Sequence, residues 1–160
     1  MAKPDLNTYG GRLHDAGIAG QPADFNPSTI ESRTNLNATS INFGVAVCRG
    51  TTDDSCKPQL LDADKILGIS VRSPIQPADA TGEIVYKQNE SVPVMREGNI
   101  WALAFEATNR GDGVIAVTAQ TGKLGSVTGG VAGVGRVAVP GATWETTTAA
   151  GAVGLIRINT

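Results

Sequence analysis

The residues of this 160-residue chain that could do chemistry are one histidine, two cysteines and a few scattered acids. Nucleophilic catalysis by Ser or Cys needs a base, most often His. His14 stands in a stretch rich in Gly, Pro, Asn and Asp, and no G-x-S-x-G elbow accompanies it. It therefore reads as a solvated or interface residue. Cys48 and Cys56 flank Arg49-Gly50-Thr51-Thr52-Asp53-Asp54-Ser55, a loop between strands. Two plain thiols, a disulfide and half a metal site are all open, and the first is favoured. A disulfide needs a close approach of the Cα atoms, and zinc usually needs four Cys or His ligands.

Carboxylate pairs can serve glycosidases or bind calcium. Asp53 with Asp54, Asp62 with Asp64, and Asp112 all fall in expected loops, the first pair and Asp112 among Gly, Ser and Thr, where Asp serves turn chemistry. Asp62-Ala63-Asp64 lacks the later residues of an EF-hand loop. Arg110-Gly111-Asp112 spells an adhesion tripeptide, but a turn between two strands explains it. The run GSVTGGVAGVG from Gly125 to Gly135 matches neither phosphate-loop pattern and reads as a surface loop. No catalytic constellation, cofactor motif or metal set emerges, so a non-enzymatic role is expected.

Composition points the same way. Gly makes up 20 residues, against a usual share of about 7%. With abundant Val, Ile and Thr, it suits strands and tight turns rather than helices. Aromatics at 4% cannot build stacking platforms for sugars or single-stranded nucleic acid. A net charge of −2 and no basic stripe give no support to binding nucleic acid or an anionic membrane. The first residues lack the apolar core of a secretory signal, and no run is long enough to span a bilayer, so synthesis in the cytoplasm is expected.

Two regions must position whatever the protein presents. Residues 1–38 have no clean period and are read as an extended arm wrapping over the body or a neighbouring subunit, with Phe25, Ile30 and Leu36 as apolar anchors. Residues 39–160 are read as a β-rich body, a small sandwich or barrel. Strands are expected at 41–47, 65–71, 84–86, 92–95, 100–105, 114–117, 136–139 and 154–158. Pro93 marks the 92–95 strand as an edge, and 96–99 reads as a turn. Trp101, Leu103 and Phe105 are expected to share the core face. Trp144 is read as an exposed interface anchor or, equally, a core plug. One short helical turn is expected near Gln59–Ala63.

The order of these pieces resembles the structural cement, or decoration, proteins of tailed bacteriophages. The residues carrying the resemblance are Ala16-Gly17-Ile18-Ala19-Gly20, Ile30 to Asn35, Asn42-Phe43-Gly44-Val45-Ala46-Val47 with Gly50-Thr51, Leu67-Gly68-Ile69, Val92 to Trp101, Gly111-Asp112, Gly122 to Gly125 and Gly154-Leu155-Ile156. Asn42 departs from the proline frequent before Phe-Gly. The resemblance implies an all-β protein on the outer capsid surface of the virion, acting as a homodimer or homotrimer. It would bridge subunits of the major capsid protein and strengthen the expanded head. Phe25, Ile30, Arg33, Leu36 and Trp144 are the residues expected to make capsid or inter-subunit contacts. A host-receptor or carbohydrate-binding β module is the runner-up. A small trimeric β enzyme of nucleotide metabolism comes third, without the motifs it would need.

Overall fold

The computed structural model describes residues 17–23, 27–58, 61–78, 82, 84–118 and 125–159. His14, Phe25, Gln59, Leu60 and Gly122 to Leu124 lie outside these. The described residues contain nine strands and no helix: β1 (Thr29–Asn35), β2 (Ala46–Arg49), β3 (Ser55–Pro58), β4 (Ile66–Ser70), β5 (Ser91–Leu103), β6 (Gly113–Val117), β7 (Val127–Thr128), β8 (Arg136–Trp144) and β9 (Val153–Ile158). The all-β expectation holds, and the body is a barrel rather than a sandwich.

The ladder β1-β3-β2-β4-β5 closes because β5 also pairs with β1. This makes a five-stranded barrel around Ile41, Val47, Cys56, Tyr86, Val92 and Val94. Beyond it the sheet continues β5-β9-β8-β6-β7, and a bridge between Ala104 and Val127 brings β7 back to the end of β5. The second core gathers around Trp144, with Ile69 and Met95 reaching in from the first barrel and Ile100, Ile156 and Ile158 from the shared strands.

Strand β5 serves both halves. Its 13 residues pair with β1 and β4 in the first part and with β9 from Gly98 onward. The turn expected at 96–99 is therefore the middle of a strand, held straight by ladders on its flanks. Gly98 sits at the handover with φ +126°, and a Cβ there would stand 2.8 Å from the Ser28 Cβ.

Pro93 does not mark an edge. It lies opposite Ser32 of β1, with β4 on the other flank. Val71 N donates to Pro93 O at 2.8 Å, but Pro93 has no N–H to return. The Val71 carbonyl accepts the Tyr86 hydroxyl instead, at 2.7 Å. The same hydroxyl accepts from Ser73 N at 3.0 Å. Tyr86 thus replaces the ladder bond that proline removes. Residues 84–86 contribute a single bridge, Ile41 to Tyr86, rather than a strand.

The core face of β5 is the opposite of the one expected. Ile100, Ala102 and Ala104 point inward, and Leu103 is exposed. The small alanines leave room for Trp144, which is 1% exposed and donates its indole N–H to Thr128 O at 3.0 Å. Trp101 is instead covered from outside by Gly17, where any Cβ would overlap the indole. Residues 18–23 run beside β5 here: Gly20 N donates to Trp101 O and Trp101 N to Gln21 O, at 2.7 and 2.9 Å.

The second half repeats itself. Leu103 pairs with Val153 as Thr143 pairs with Gly113. Ala104 N donates to Ala152 O as Trp144 N donates to Asp112 O, both at 2.9 Å. Gly111 N donates to Trp144 O as Gly151 N donates to Ala104 O, at 2.7 and 2.8 Å. At the centre, Thr108 and Thr148 exchange both backbone bonds. Two strand–turn–strand units, 102–113 and 142–153, are therefore related by a local two-fold through the Thr108–Thr148 pair.

The cysteines occupy hairpin β2–β3, where Cys48 opposes Lys57 and Cys56 opposes Arg49. Adjacent register positions point to opposite faces of a sheet, so the two sulfurs diverge and remain buried thiols. Burial pushes the Cys48 thiol up to about 12, helped by the negative charge of Asp64. Burial likewise pushes Cys56 to about 11 and Tyr86 to about 12.

Two outcomes are expected. Tyr86→Phe leaves the buried Val71 carbonyl without a donor and should cost about 1–3 kcal/mol in urea unfolding. Pro93→Ala in that background should recover part of the loss; no loss in the single variant would refute the substitution of hydroxyl for ladder bond. The raised thiol pKa values also mean that the folded state holds protons the unfolded chain releases. Stability should be full below the unfolded thiol value near pH 9 and fall as pH rises toward the folded values of 11–12. Urea midpoints at pH 8 and pH 10.5 should converge in the Cys48→Ala/Cys56→Ala variant more than in the wild type.

Candidate functional site

The five expected contact residues fall into different settings. Ile30 and Leu36, at β1 and just beyond it, are each 42% exposed and available to a partner. Phe25 lies outside the described residues. Arg33 is spent within the molecule: one guanidinium nitrogen donates to Asp53 O and another pairs with Glu31. Glu31 also meets Arg96 at 3.0 Å. Arg33, and then Arg96, hold the Glu31 carboxyl below the usual carboxylate range. Arg33 lies opposite Val92 and Glu31 opposite Val94, on the face of β5 that builds the first core. The ion network therefore continues that core in charged form. Of the two settings open to Trp144, interface anchor and core plug, it takes the second: its indole is enclosed and hydrogen-bonded, so it is not among the side chains exposed for contact.

Thr29–Asn35, inside the region read as an arm, is a strand of the first barrel. Two backbone carbonyls of the β2–β3 loop tie to it: Asp53 O accepts from Arg33 and Asp54 O accepts from Thr34 N at 2.9 Å. Removing residues through 38 would take this strand away and open the barrel.

The acids serve turns and clamps. Asp112 accepts from Asn109 N at 2.8 Å. Asp64 pairs with Lys57 at 2.8 Å and accepts from Leu61 N at 3.2 Å. Asp62 reaches across the molecule, taking the Thr118 hydroxyl on one oxygen and Gly135 N at 3.1 Å on the other. The Thr118 bond, then the Gly135 bond, lower its pKa. Among the described residues no cluster of His, Cys, Asp and Glu has the makings of a metal site.

Concavities are shallow. One of about 440 Å³ lies beside Ile75 and is lined by Ser32, Gln76, Glu90 and Pro93 among others. Its carboxylate is occupied, accepting from Gln76 Nε2 and from Lys87 N, each at 2.7 Å. Another of about 430 Å³ is bounded by Ile18, Pro22, Arg72 and Pro74. Neither pairs a nucleophile with a base. What the surface offers is apolar side chains set on a rigid frame: Ile18, Ile30, Leu36, Leu61, Ile75, Leu103, Val131 and Val134. That is material for binding rather than for catalysis. Sequence reasoning found Ile30 and Leu36 from their place in a polar segment. It passed over Leu61, Val131 and Val134, whose exposure depends on turns brought together by the fold.

Comparison with known proteins accords with this geometry. Curated protein sequences gave no match. Among solved structures, the chain superposes on one described as the capsid of Myoviridae phage XM1, with a TM-score of 0.73 and 21% identity over 91% of each chain. At that identity the likeness is one of fold. A family model described as structural cement protein (E217 gp24/Pam3 gp6) matches residues 6–159. Since that match spans nearly the whole sequence, this chain belongs to the structural cement protein family and is a structural protein of the phage capsid.

Proposed function

We propose that the protein binds the outer surface of the major capsid protein lattice and stabilises the expanded head. The observation that carries this reading is the family match over residues 6–159. The physical character of the molecule supports it. A closed five-stranded barrel that shares strand β5 with a second sheet leaves few of its strands free to open locally. Ile30 on β1 and Leu36 just beyond it offer apolar contact, and the role assigned to the segment before Gly17, as part of the arm, is to reach a second subunit. A ligand that binds only the assembled, expanded form stabilises that form by mass action. Many copies, as dimers or trimers, each with modest contacts, sum to a large effect over a shell.

Co-sedimentation with expanded capsids that lack the protein tests this directly. Saturable binding at a fixed copy number is expected, with shells that resist heat several degrees better once decorated. A folded protein that binds no capsid, and binds host cells or glycans instead, would overturn the reading. A chain lacking residues 1–16 keeps every described strand and should melt within a few degrees of the full chain while binding capsids at least tenfold more weakly. Undiminished binding would remove that segment from the interface.

A further inference from the structure

The segment before β1 and the loop after β4 bound a concavity of about 430 Å³, lined by Ile18, Gln21, Pro22, Arg72 and Pro74. Two stretches singled out in the sequence, the one ending in Gly20 and the one holding Phe43 and Gly44, meet beside it. Gly20 has φ +82°, and a Cβ there would stand 2.8 Å from the Phe43 Cβ and 3.0 Å from Arg72 N. A Cβ on Gly44 would stand 2.9 Å from Gly20 N. The lining is fixed by hydrogen bonds. Gln21 N donates to Ile18 O at 2.9 Å, and Ile18 N donates to Gln21 Oε1 at 3.2 Å. Arg72 N donates to Gly20 O at 2.7 Å. Ser73 N, next to Pro74, donates to the Tyr86 hydroxyl.

Arg72 is the member of this lining that folding leaves unexplained. The half-buried cations among the described residues are Arg33, Lys57, Arg72, Arg96 and Arg136. Four of them hold a carboxylate within 3.0 Å: Arg33 and Arg96 on Glu31, Lys57 on Asp64, and Arg136 on Glu106. Arg72 has no carboxylate among the described residues. Its guanidinium lies instead over the Phe43 ring, 5.7 Å from the centroid. Phe43 in turn meets Tyr86 edge-on at 5.1 Å.

A charge drawn partly out of water costs free energy unless an opposite charge stands in for the water. A guanidinium stacked on a ring keeps its N–H edge for a carboxylate, which it takes bidentately. The stack also restricts the side chain beforehand, so little freedom is lost on binding. We propose that this concavity receives an acidic peptide segment of the major capsid protein, with an Asp or Glu carboxylate on Arg72 and an apolar neighbour against Ile18, Pro22 and Pro74. This rests on the capsid-binding reading above. The lining complements such a segment twice over: its one charge is positive, and Ile18 and the two prolines are apolar.

The test is binding to expanded capsids that lack the protein, measured for Arg72→Gln and Ile18→Ser. Arg110→Gln, which removes an exposed charge from the turn before β6, is the control. Thermal melts report whether each variant is folded, and sedimentation equilibrium gives the mass of the protein alone. Arg72→Gln is expected to bind at least about tenfold more weakly, the scale for losing one member of a desolvated charge pair. Its melting temperature should stay within a few degrees of the wild type, with mass unchanged. Raising salt from about 50 to 300 mM should weaken the wild type more than Arg72→Gln, because screening acts on the pair only where the pair exists. Ile18→Ser should bind several-fold more weakly and keep the salt dependence of the wild type, while Arg110→Gln binds as the wild type does. Full binding by Arg72→Gln or by Ile18→Ser overturns the proposal, as does an equal loss in Arg110→Gln or a salt dependence that Arg72→Gln leaves unchanged. A larger fall in the melting temperature of Arg72→Gln overturns it by assigning the guanidinium to a partner within the chain, and a change of mass does so by assigning it to contacts between copies. A wild-type protein that binds no capsid overturns the reading beneath the proposal and the proposal with it.

Discussion

Everything in this molecule depends on strand β5 being bonded along both flanks. It closes the first barrel against β1 and β4 and then begins the second half against β9. A buried backbone group without a partner costs as much as a lost hydrogen bond, so a strand this central can tolerate few gaps. Its one proline creates a gap at the Val71 carbonyl, and the Tyr86 hydroxyl closes it. Its glycine lies where the chain passes from the barrel to the sheet beyond it. Nearby, Gly68 of β4 faces the Met95 carbonyl so closely that no side chain could fit. The close packing of the barrel and the sheet that continues it therefore rests on a handful of small or special residues.

The two cores are built differently. The second is apolar and centred on one tryptophan, with alanines and a glycine cut back to admit it. The first is apolar around Tyr86 but continues into the Glu31–Arg33–Arg96 network. Charged pairs with solvent access add little to stability on their own. Here they also fix where β1 and the β2–β3 loop meet, through the Asp53 carbonyl. The surface inherits this stiffness, since the loops carrying exposed apolar side chains are held by carboxylates and hydroxyls rather than left loose.

Much of the architecture was legible in the sequence. The apolar runs at Lys65–Val71 and Val114–Val117 mark real strands, whereas of the alternating run Ile41–Val47 only Ala46 and Val47 lie in a strand and Ile41 makes a single bridge. Asp64 and Asp112 behave as turn chemistry implies, while Asp62 bonds to Thr118 and Gly135 far along the chain. The β5 errors share one cause: local signals such as Pro93 and Gly98 describe what a residue permits, not what its neighbours impose. The face of β5 was misread because the size of Trp144, distant in sequence, decides which side of the strand must be small. The repeat between 102–113 and 142–153 escaped notice because it keeps only Ala102/Ala142, Thr108/Thr148 and Gly111/Gly151 in common. A shared backbone path needs little more than a turn glycine and a central threonine pair. The exposed apolar side chains of Ile30 and Leu36 stood out in the sequence from their polar surroundings, while the exposure of Leu61 and Val134 required knowledge of which loops the fold brings together.

Ring closure bears on life in a crowd. Proteins packed at high local density are at hazard from strands that lack a neighbour, because such strands recruit one another into aggregates. Here β1 and β5 seal the first ring, and the bridge from Ala104 to Val127 draws the second toward closure. With that main chain already paired within the molecule, the first ring can meet another copy only through side chains.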